Sequence, residues 1–494
     1  MTKHTTVKKS LILLVAALLC VAVLFAACNS GKFTPVTMPT GEGIESNGGI
    51  AVRYGDWIYY VNGYESNVNA TNTYVDTKDA PRVGSVVRIE ISKLEEVLAI
   101  HDQDELSGTE KTKAIAKAVF ESAQVVVPKI YYAGNTSTPT LNGIFIFGDR
   151  LYILTPNDEL TPGGNPQTSQ SVLMSFKLDG SDPVRHFTFT DNTAQIWLYE
   201  SGNKVLATYL MSSQLHVLDV ASGTDTPIKN ADDETATVSS VKFDEAGKCV
   251  FFLDEDGAIC KLDCGKTAQE VIVANEIPEG KDVSPISFTI SEVNNGYVYY
   301  TVANSEDTTV DNQVLYYANS DNKVATVDGA RKVAYNSSNL PSGWKPWKDN
   351  MIVSVENKDG FYGLRIIASV DGSEIIQVLK RGYNDQSVVI NKIDGDKLYY
   401  TVNSVTYVKN LADFVGENAT GDTTDLGEVY AASWSTSASV GWATPDVVKV
   451  VKGDVTTTYM FTLSTGSVSV VKFDPEKKSN GTATTLTLAA VTEE

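Results

Sequence analysis

Histidine and cysteine are scarce in this chain, with 4 and 5 copies among 494 residues. Beyond the N-terminal His4, the histidines are His101, His186 and His216, and none has a cysteine or a second histidine at metal-ligand spacing. We therefore expect structural histidines and predict neither a metal site nor a cofactor. The sequence also lacks the motifs of a serine nucleophile elbow, a zinc-binding helix and a phosphate-binding loop, so the commonest signatures of hydrolases and nucleotide-binding enzymes are missing.

Basic residues are outnumbered, since 40 Lys and Arg stand against 61 Asp and Glu and the net charge is −21. A surface this acidic repels phosphate backbones, which argues against a nucleic-acid partner. It also favours solubility in an extracytoplasmic setting. The apolar share of 42% is ample for a packed core.

An apolar run extends from Leu11 to Ala27 after the basic segment "MTKHTTVKKS". As a helix it would span about 26 Å, which is short for a bilayer core of about 30 Å, and it predicts a secretory signal peptide at residues 1–27. Cys28 follows in "LFAAC", which resembles the lipobox of bacterial lipoproteins. The resemblance implies that Cys28 receives a diacylglycerol and anchors the protein to a membrane outside the cytoplasm, on the outer face of a Gram-positive cell. An ordinary signal peptide with a chance cysteine is the alternative. Residues 28–48 are rich in Gly, Ser, Thr and Pro and predict a flexible tether.

A polar turn followed by an aromatic strand recurs along the chain: "GDWIYYVNG" at Gly55, "GDRLYILTP" at Gly148, "GYVYYTVAN" at Gly296 and "GDKLYYTVN" at Gly395. Short runs of Val, Ile, Tyr and Phe between Gly, Asn and Asp predict strands in sets of four. The turn after the third strand of each set contains, in order, Gly180, Gly223, Gly265, Asn322, Gly372 and Gly466. Counting one missing member, these turns give a period of about 48 residues, which is typical of β-propeller blades.

Eight such sets predict an all-β propeller of eight four-stranded blades over residues 49–475, with residues 476–494 as a tail or closing strand. The sets open near Ile50, Ile144, Gln195, Ser239, Phe288, Pro341, Ser387 and Ser433. Seven blades with a stray hairpin is the alternative. In a propeller each blade is covered on both faces, so the paired tyrosines are expected to fill the gaps between blades.

The first set is too long, and its excess at residues 92–122 has a helical pattern. Ser92 with Glu95 and Ser107 with Glu110 both have the spacing of a capping box. We predict a helical hairpin inserted in blade one, serving either as decoration or as a docking or lid element. Because it adds no blade strand, its removal is expected to leave the ring folded.

Three cysteines lie together in "CVFFLDEDGAICKLDC": Cys249, Cys260 and Cys264. A two-residue turn at Asp256-Gly257 would place Cys249 opposite Cys264, at a Cα separation of about 5.5 Å that permits a disulfide. A shift of one residue in the turn would leave free thiols. The acidic "DEDG" lacks the further ligands of a calcium loop and predicts a hairpin turn.

Four tryptophans are candidates for a binding rim. Trp344 and Trp347 lie in "SGWKPWKDN", and Trp434 and Trp442 lie in "SWSTSASVGW". Aromatic rings at the rim of a propeller can stack on sugars or hold peptides. Packing between blades is the alternative.

The "YYT" strands that open with Gly-Asp resemble the YWTD-type propellers of lipoprotein-receptor ectodomains, although the Trp is missing. The segment "GIFIFGDRLYILTPND" followed by "LMSFKLDGSD" is similar to uncharacterised propeller lipoproteins of Gram-positive bacteria. These resemblances imply a propeller fold and a surface location, and they assign no activity to any residue.

Together these features predict a lipid-anchored, extracytoplasmic propeller that acts as a binding or interaction module for a protein or glycan ligand, and not as an enzyme. One alternative is an extracellular enzyme that acts on glycans or peptides through carboxylates in the propeller funnel. Another is an envelope-assembly scaffold, a role that eight-bladed lipoprotein propellers have in Gram-negative bacteria, but the Trp-bearing repeat of that group is absent.

Overall fold

The computed structural model describes residues 33–489, apart from residues 65–82, 129–142, 158, 160, 165–166, 168, 191–194, 231–232, 245, 277–285, 305–313, 326–330, 337–342, 357–361, 381–387, 404, 418, 432–446, 453–454 and 475–478. Within this part of the chain, consecutive strands pair antiparallel in eight sheets of four or five strands. Successive four-stranded antiparallel sheets around a ring are the blades of a β-propeller. The predicted eight-bladed propeller with a helical insertion in blade one is therefore confirmed.

Blades one to four are consecutive in the chain. Blade one contains β1 (Ile44–Glu45), β2 (Ala51–Tyr54), β3 (Trp57–Val61), β4 (Val86–Glu90) and β5 (Gln124–Val127). Blade two contains β6 (Phe145–Phe147), β7 (Arg150–Pro156), β8 (Ser171–Lys177) and β9 (Val184–Phe189). Blade three contains β10 (Gln195–Ser201), β11 (Lys204–Met211), β12 (Gln214–Asp219) and β13 (Thr224–Pro227). Blade four contains β14 (Ser239–Asp244), β15 (Cys249–Leu253), β16 (Ile259–Asp263) and β17 (Glu270–Val273).

Blades five to eight complete the ring. Blade five contains β18 (Ile286–Asn294), β19 (Tyr297–Asn304), β20 (Val314–Asn319) and β21 (Arg331–Asn336). Blade six contains β22 (Lys345–Trp347), β23 (Asn350–Glu356), β24 (Tyr362–Ala368) and β25 (Glu374–Lys380). Blade seven contains β26 (Val388–Asp394), β27 (Lys397–Val402), β28 (Val405–Asn410) and β29 (Glu428–Ala431). Blade eight contains β30 (Val447–Lys452), β31 (Val455–Ser464), β32 (Ser467–Asp474), β33 (Ser479–Asn480) and β34 (Thr484–Thr485).

In blade eight the first described strand starts at Val447, and the predicted opening near Ser433 falls in the segment before it. The segment between them, which contains the "SWSTSASVGW" phrase, lies outside the described residues.

The tyrosines of the second strands join neighbouring blades. Tyr59 in β3 and Tyr299 in β19 are both 0% exposed, since a blade covers each face of these strands. The Tyr59 hydroxyl donates to the carbonyl of Leu178 in blade two at 3.0 Å. The Tyr299 hydroxyl donates to the carbonyl of Asn350 in blade six at 3.0 Å. The repeated aromatic phrase therefore packs one blade against the next, as the sequence predicts.

The glycine of the recurring turn has a backbone conformation that other residues rarely adopt. Gly148 and Gly395 both have φ of +58° at the turn between the first and second strands of their blades. This left-handed conformation carries no steric penalty for glycine, which explains why the turn begins with that residue.

Blades one and eight meet at a seam that the C-terminal segment closes. β34 pairs with β32, and the carbonyl of Leu486 accepts a hydrogen bond from the Tyr60 hydroxyl of blade one at 3.0 Å. The side chain of Asn62 bonds both backbone groups of Leu488, at 2.9 and 2.7 Å. The end of the chain thus includes closing strands that bind both the first and the last blade.

Residues 33–48 lie against the propeller and are not a free tether. The N–H of Val36 donates to the carbonyl of Asp179 in blade two at 2.9 Å. The carbonyl of Thr37 accepts from the Arg88 guanidinium at 2.5 Å, and β1 pairs with β2. The predicted flexible tether is thus corrected from residue 33 onward, because backbone hydrogen bonds and strand pairing hold this segment in place.

The insert consists of helix α1 (Ile91–Leu98), a 3-10 turn (Ala99–Asp102) and helix α2 (Gly108–Ser122). The predicted capping box of α2 is confirmed, since Ser107 Oγ accepts from the Glu110 N–H at 3.3 Å and the Glu110 carboxylate accepts from the Ser107 N–H at 2.7 Å. The predicted box of α1 is wrong: its N-cap is Glu90, where the described residues form no side-chain capping bond. Neither helix, and no other helix in the described part, combines the length and hydropathy needed to cross a membrane.

Glu95, assigned by its spacing to a capping box, instead connects the insert to blade eight. Its carboxylate accepts hydrogen bonds from the Tyr459 hydroxyl and from Lys472 Nζ, the latter at 2.6 Å. His101 Nε2 lies 2.9 Å from Thr484 Oγ1 in the closing strand. The insert therefore lies across the seam between the first and last blades.

Candidate functional site

The first strands of neighbouring blades contact one another and line the central channel. Contacts join β14 with β18, β18 with β22 and β22 with β26, from blades four to seven. Where these strands end, a cavity of about 420 Å³ opens, which we call the charged cavity. Its polar lining consists of Lys242, Asp244, Glu292, Asn294, Lys345, Asn391, Lys392 and Asp394.

Bulges in two first strands direct charged side chains to this cavity. The register of β18 against β19 shifts between Ile290 and Glu292, and that of β26 against β27 shifts between Ile390 and Lys392. A bulge sets two residues opposite one on the partner strand, so the alternation of inward and outward side chains is interrupted there. Glu292 and Lys392, immediately after the bulges, both line the charged cavity.

Two lysine ammonium groups bond to neighbouring residues at the bulge of β18. Lys242 Nζ of blade four donates to the carbonyl of Ser291 at 3.3 Å. Lys345 Nζ of blade six pairs with Glu292 Oε1 at 2.8 Å. Lys392 of blade seven lines the same cavity. Three blades thus contribute lysines to this cavity, which the carboxylates Asp244, Glu292 and Asp394 also line.

Asp244 is the buried carboxylate of the cavity and is 2% exposed. It accepts backbone N–H groups from Gly247 at 2.8 Å, Asn295 at 3.1 Å and Gly296 at 2.5 Å. Burial raises the pKa of Asp244, while these backbone donors act in the opposite direction. Its main effect is to tie the turn of blade four to the turn of blade five.

A second cavity of about 580 Å³ adjoins the first along blades two to four, and we call it the aromatic cavity. Its lining includes the aromatic residues Phe145, Phe147, Trp197, Tyr199 and Phe243 and the polar residues Asn47, Glu200, Ser201 and Lys248. Trp197 and Phe243 line both cavities, and their rings stack with centroids 3.7 Å apart and planes 16° from parallel. The two cavities therefore adjoin at this stacked pair, which forms part of the wall of each, and we call them together the channel-mouth groove.

Sequence reasoning did not single out these groove residues. The signal that could have found them is a pair of matching phrases, "SEVNNG" at Ser291 and "NKIDGD" at Asn391. In each phrase two polar residues interrupt the apolar pattern of a first strand just before the turn. This marks the bulge and the charged residue that follows it.

The tryptophans predicted for the rim do not line the groove where the structure describes them. Trp347 is 1% exposed, and its Nε1 donates to Asp396 Oδ1 at 2.9 Å. Its role as a stacking residue at the rim is therefore wrong, because the enclosed ring offers no face to a ligand. Trp344 is half-buried against Tyr299, with ring centroids 5.7 Å apart. The other two predicted tryptophans, Trp434 and Trp442, lie outside the described residues, as does Cys28.

The predicted Cys249–Cys264 disulfide is wrong by one position in the register. Cys249 faces Asp263 on β16, because Asp254 Oδ1 accepts backbone N–H groups inside a loop longer than the two-residue turn. In the described part of the chain Cys249, Cys260 and Cys264 are free thiols. Burial raises the pKa of the Cys264 thiol to about 12, so the thiol stays protonated at neutral pH.

The histidines in the blades have structural contacts. His186 Nε2 lies 2.7 Å from Ser175 Oγ, and its Nδ1 lies 2.9 Å from the carbonyl of Val220. The carbonyl can only accept, so the proton is on Nδ1, and burial lowers the pKa of His186. His216 Nδ1 lies 3.0 Å from Asp225 Oδ2. Among the described residues, no three His, Cys, Asp or Glu side chains are grouped so as to hold a metal ion.

No protein-family model matches this chain, and no curated protein matches it either. Among solved structures it is similar to a puromycin-hydrolyzing peptidase of Mycobacterium tuberculosis, with 11% identity and a TM-score of 0.29 over 68% of this chain and 45% of the peptidase. A structure described for two prolyl endopeptidases matches with 13% identity and a TM-score of 0.32, over 80% of this chain and 55% of that one.

Hsv2p of Kluyveromyces lactis matches with 12% identity and a TM-score of 0.30, over 68% of this chain and 94% of that protein. The chain thus matches about half the length of each peptidase. At these identities and TM-scores the matches carry no information about function, and the fold assignment rests on the eight sheets themselves.

Proposed function

We propose that this protein is a lipid-anchored, extracytoplasmic propeller that binds its ligand in the channel-mouth groove. The observation that carries the proposal is that two adjoining cavities share the stacked pair of Trp197 and Phe243 as a common aromatic wall. A concave site with aromatic walls and a few polar groups is the usual form of a ligand site. The resemblance of "LFAAC" to a lipobox supports attachment through Cys28 on the outer face of a membrane.

The contacts of the cavity carboxylates favour binding over hydrolysis. The Asp244 carboxylate accepts hydrogen bonds from three backbone N–H groups, and Glu292 pairs with Lys345 at 2.8 Å. Asp394 lies 3.7 Å from Lys392. Glycan hydrolysis needs one carboxyl that gives a proton and a second that attacks or activates water. Carboxylates that are engaged by lysine ammonium groups or backbone donors are better suited to positioning a ligand than to this chemistry.

The test is a screen of the purified protein against glycan and peptide arrays, followed by titration of the hits. Replacing the half-buried Phe243 (Phe243→Ala) should weaken the hit by about three- to ten-fold, the range for one lost aromatic contact. Phe120→Ala in α2 is the matched control, since Phe120 is also half-buried and lies in the insert, away from the groove.

Equal binding by the Phe243→Ala variant, with loss in the Phe120→Ala variant, would move the site to the insert and refute the proposal. Turnover of a hit by the purified protein, abolished by Glu292→Gln, would make the groove an active site instead.

A further inference from the structure

We infer that the charged cavity receives an anionic group of the ligand, a carboxylate or a phosphate, while Phe243 packs against a ring next to that group. The inference rests on the proposed use of the channel-mouth groove as the ligand site. It adds the chemical class of the ligand.

The first argument is the distribution of charge. The chain as a whole has a net charge of −21, yet Lys242, Lys345 and Lys392 all line this one cavity. Two carboxylates, Glu292 and Asp394, accompany them, and the buried Asp244 is engaged with backbone donors. The three lysines balance the three carboxylates of the cavity, so in a protein of net charge −21 an anion meets less repulsion here than on the acidic surface.

The second argument is geometric. Lys242 Nζ is held by the carbonyl of Ser291 and Lys345 Nζ by the carboxylate of the next residue, Glu292. Two ammonium groups from blades four and six are thus fixed at successive positions of one strand in blade five. Each ammonium group has three N–H donors, so the described bonds leave donors for ligand oxygens. Bonds of this kind to an anion are stronger than bonds between neutral groups.

The third argument is the wall next to the lysines. Phe243 is adjacent in sequence to Lys242 and Asp244, is half-buried, and lines both cavities. Behind it the buried ring of Trp197 stacks at 3.7 Å and fixes its orientation. A ligand whose anionic group reaches the lysines would therefore place its next atoms against a rigid aromatic face. This favours a planar or ring-shaped group beside the anion.

The test uses calorimetric titration of the intact protein with three probes. Phenyl phosphate carries both a ring and an anion, inorganic phosphate carries the anion alone, and phenyl β-glucoside carries a ring without charge. Phenyl phosphate should bind tightest, and added salt should weaken it because the interaction is electrostatic. The natural anionic group can be either a phosphate or a carboxylate, so benzoate is titrated as the carboxylate analogue of phenyl phosphate. Whichever of these two probes binds more tightly identifies the anionic group of the ligand.

The variants give effects of opposite sign. Lys242→Gln and Lys392→Gln should each weaken phenyl phosphate by about three- to ten-fold, the range for a charged hydrogen bond in a partly exposed site. Glu292→Gln removes a competing negative charge while its amide oxygen can still accept from Lys345, and it should tighten binding by about two- to five-fold. Lys117→Gln is the matched control, because it makes the same charge change on the exposed face of α2 and should leave binding unchanged.

The outcomes separate this inference from the proposed function. In one outcome phenyl β-glucoside binds as tightly as phenyl phosphate, the lysine variants bind both probes as tightly as the wild type does, and Phe243→Ala weakens both. The groove would then bind ligand, and the anion inference would be wrong. If Phe243→Ala changes neither probe, the groove itself is not the site and both fail. Absence of phenyl phosphate binding at millimolar concentration also overturns the inference.

Discussion

Leu94→Ala is expected to destabilise the whole ring, although Leu94 lies in the insert and in no blade. Leu94 is 0% exposed and belongs to the same core cluster as the residues of blade one. On the same helix Glu95 accepts from Tyr459 and Lys472 of blade eight. Helix α1 thus holds the first and last blades together at the place where the ring is closed.

The magnitude follows from burial. Removing a fully buried leucine side chain costs about 2–5 kcal/mol, because the transfer free energy is lost and a cavity remains. Glu95→Ala leaves the hydroxyl of the buried Tyr459 without its acceptor, which costs about 1–3 kcal/mol. The ion pair of Glu95 with Lys472 adds little, since both side chains are partly exposed. A stability of about 5–15 kcal/mol is typical of a folded protein, so either change is measurable.

The assay is urea unfolding followed by far-UV circular dichroism, with the midpoint as the measured quantity. Leu94→Ala should lower the midpoint strongly and Glu95→Ala less, whereas the exposed control Lys117→Ala should change stability by no more than about 0.5 kcal/mol. Deletion of residues 93–122 should lower it as well, contrary to the expectation from sequence that the insert is dispensable. A wild-type midpoint after Leu94→Ala or after the deletion would refute the proposed role at the seam.

Four further outcomes are expected. Metabolic labelling with a lipid precursor should tag the wild type, and Cys28→Ser should abolish the tag and release the protein; persistent labelling would disprove lipidation. Cys264, with its pKa raised to about 12, should resist iodoacetamide at pH 8 in the native protein and react after denaturation, which mass spectrometry reports. Trp347→Phe removes the bond to its carboxylate acceptor and should cost about 1–3 kcal/mol of stability without changing probe binding; weaker probe binding would return this residue to the site. Burial lowers the pKa of His186 below the value of about 6.5 that it has in the unfolded chain. The contribution of neutral His186 to the stability of the fold is therefore present above about pH 6.5 and is lost as pH falls through the folded pKa. His186→Gln should flatten the fall in stability between pH 7 and pH 5.

The fold could be predicted because each blade repeats the same local chemistry. A glycine with positive φ opens the second strand at Gly148 and Gly395, and paired tyrosines fill the space between blades. Both signals are local, but the glycine-aromatic phrase stands in four of the eight blades, so the number of blades follows from the sets of strands and from the period of about 48 residues between third-strand turns. The capping box at Ser107 was predictable for the same reason, since it needs only two residues three positions apart.

Features that depend on register or on distant contacts could not be predicted in this way. The facing partner of Cys249 depends on the loop length, and the hydrogen bonds of Asp254 lengthen that loop. Glu95 has the spacing of a capping residue, but its partners are Tyr459 and Lys472, more than three hundred residues away. Local pattern and tertiary contact compete at such positions, and the tertiary contact determines the outcome.

The candidate site belongs to this second class, but the repeated motif supports it. Glu292 follows the bulge in β18 and faces Tyr299 across the strand pair, as Lys392 faces Tyr399 in blade seven. Tyr299 is itself fixed by hydrogen bonds to Asn350 and Ser369 of blade six, at 3.0 and 2.8 Å. The charged side chain Glu292 therefore stands on β18, whose partner strand β19 is locked to the next blade. A site held in this way loses little conformational freedom when a ligand binds, so more of the contact energy is retained as affinity.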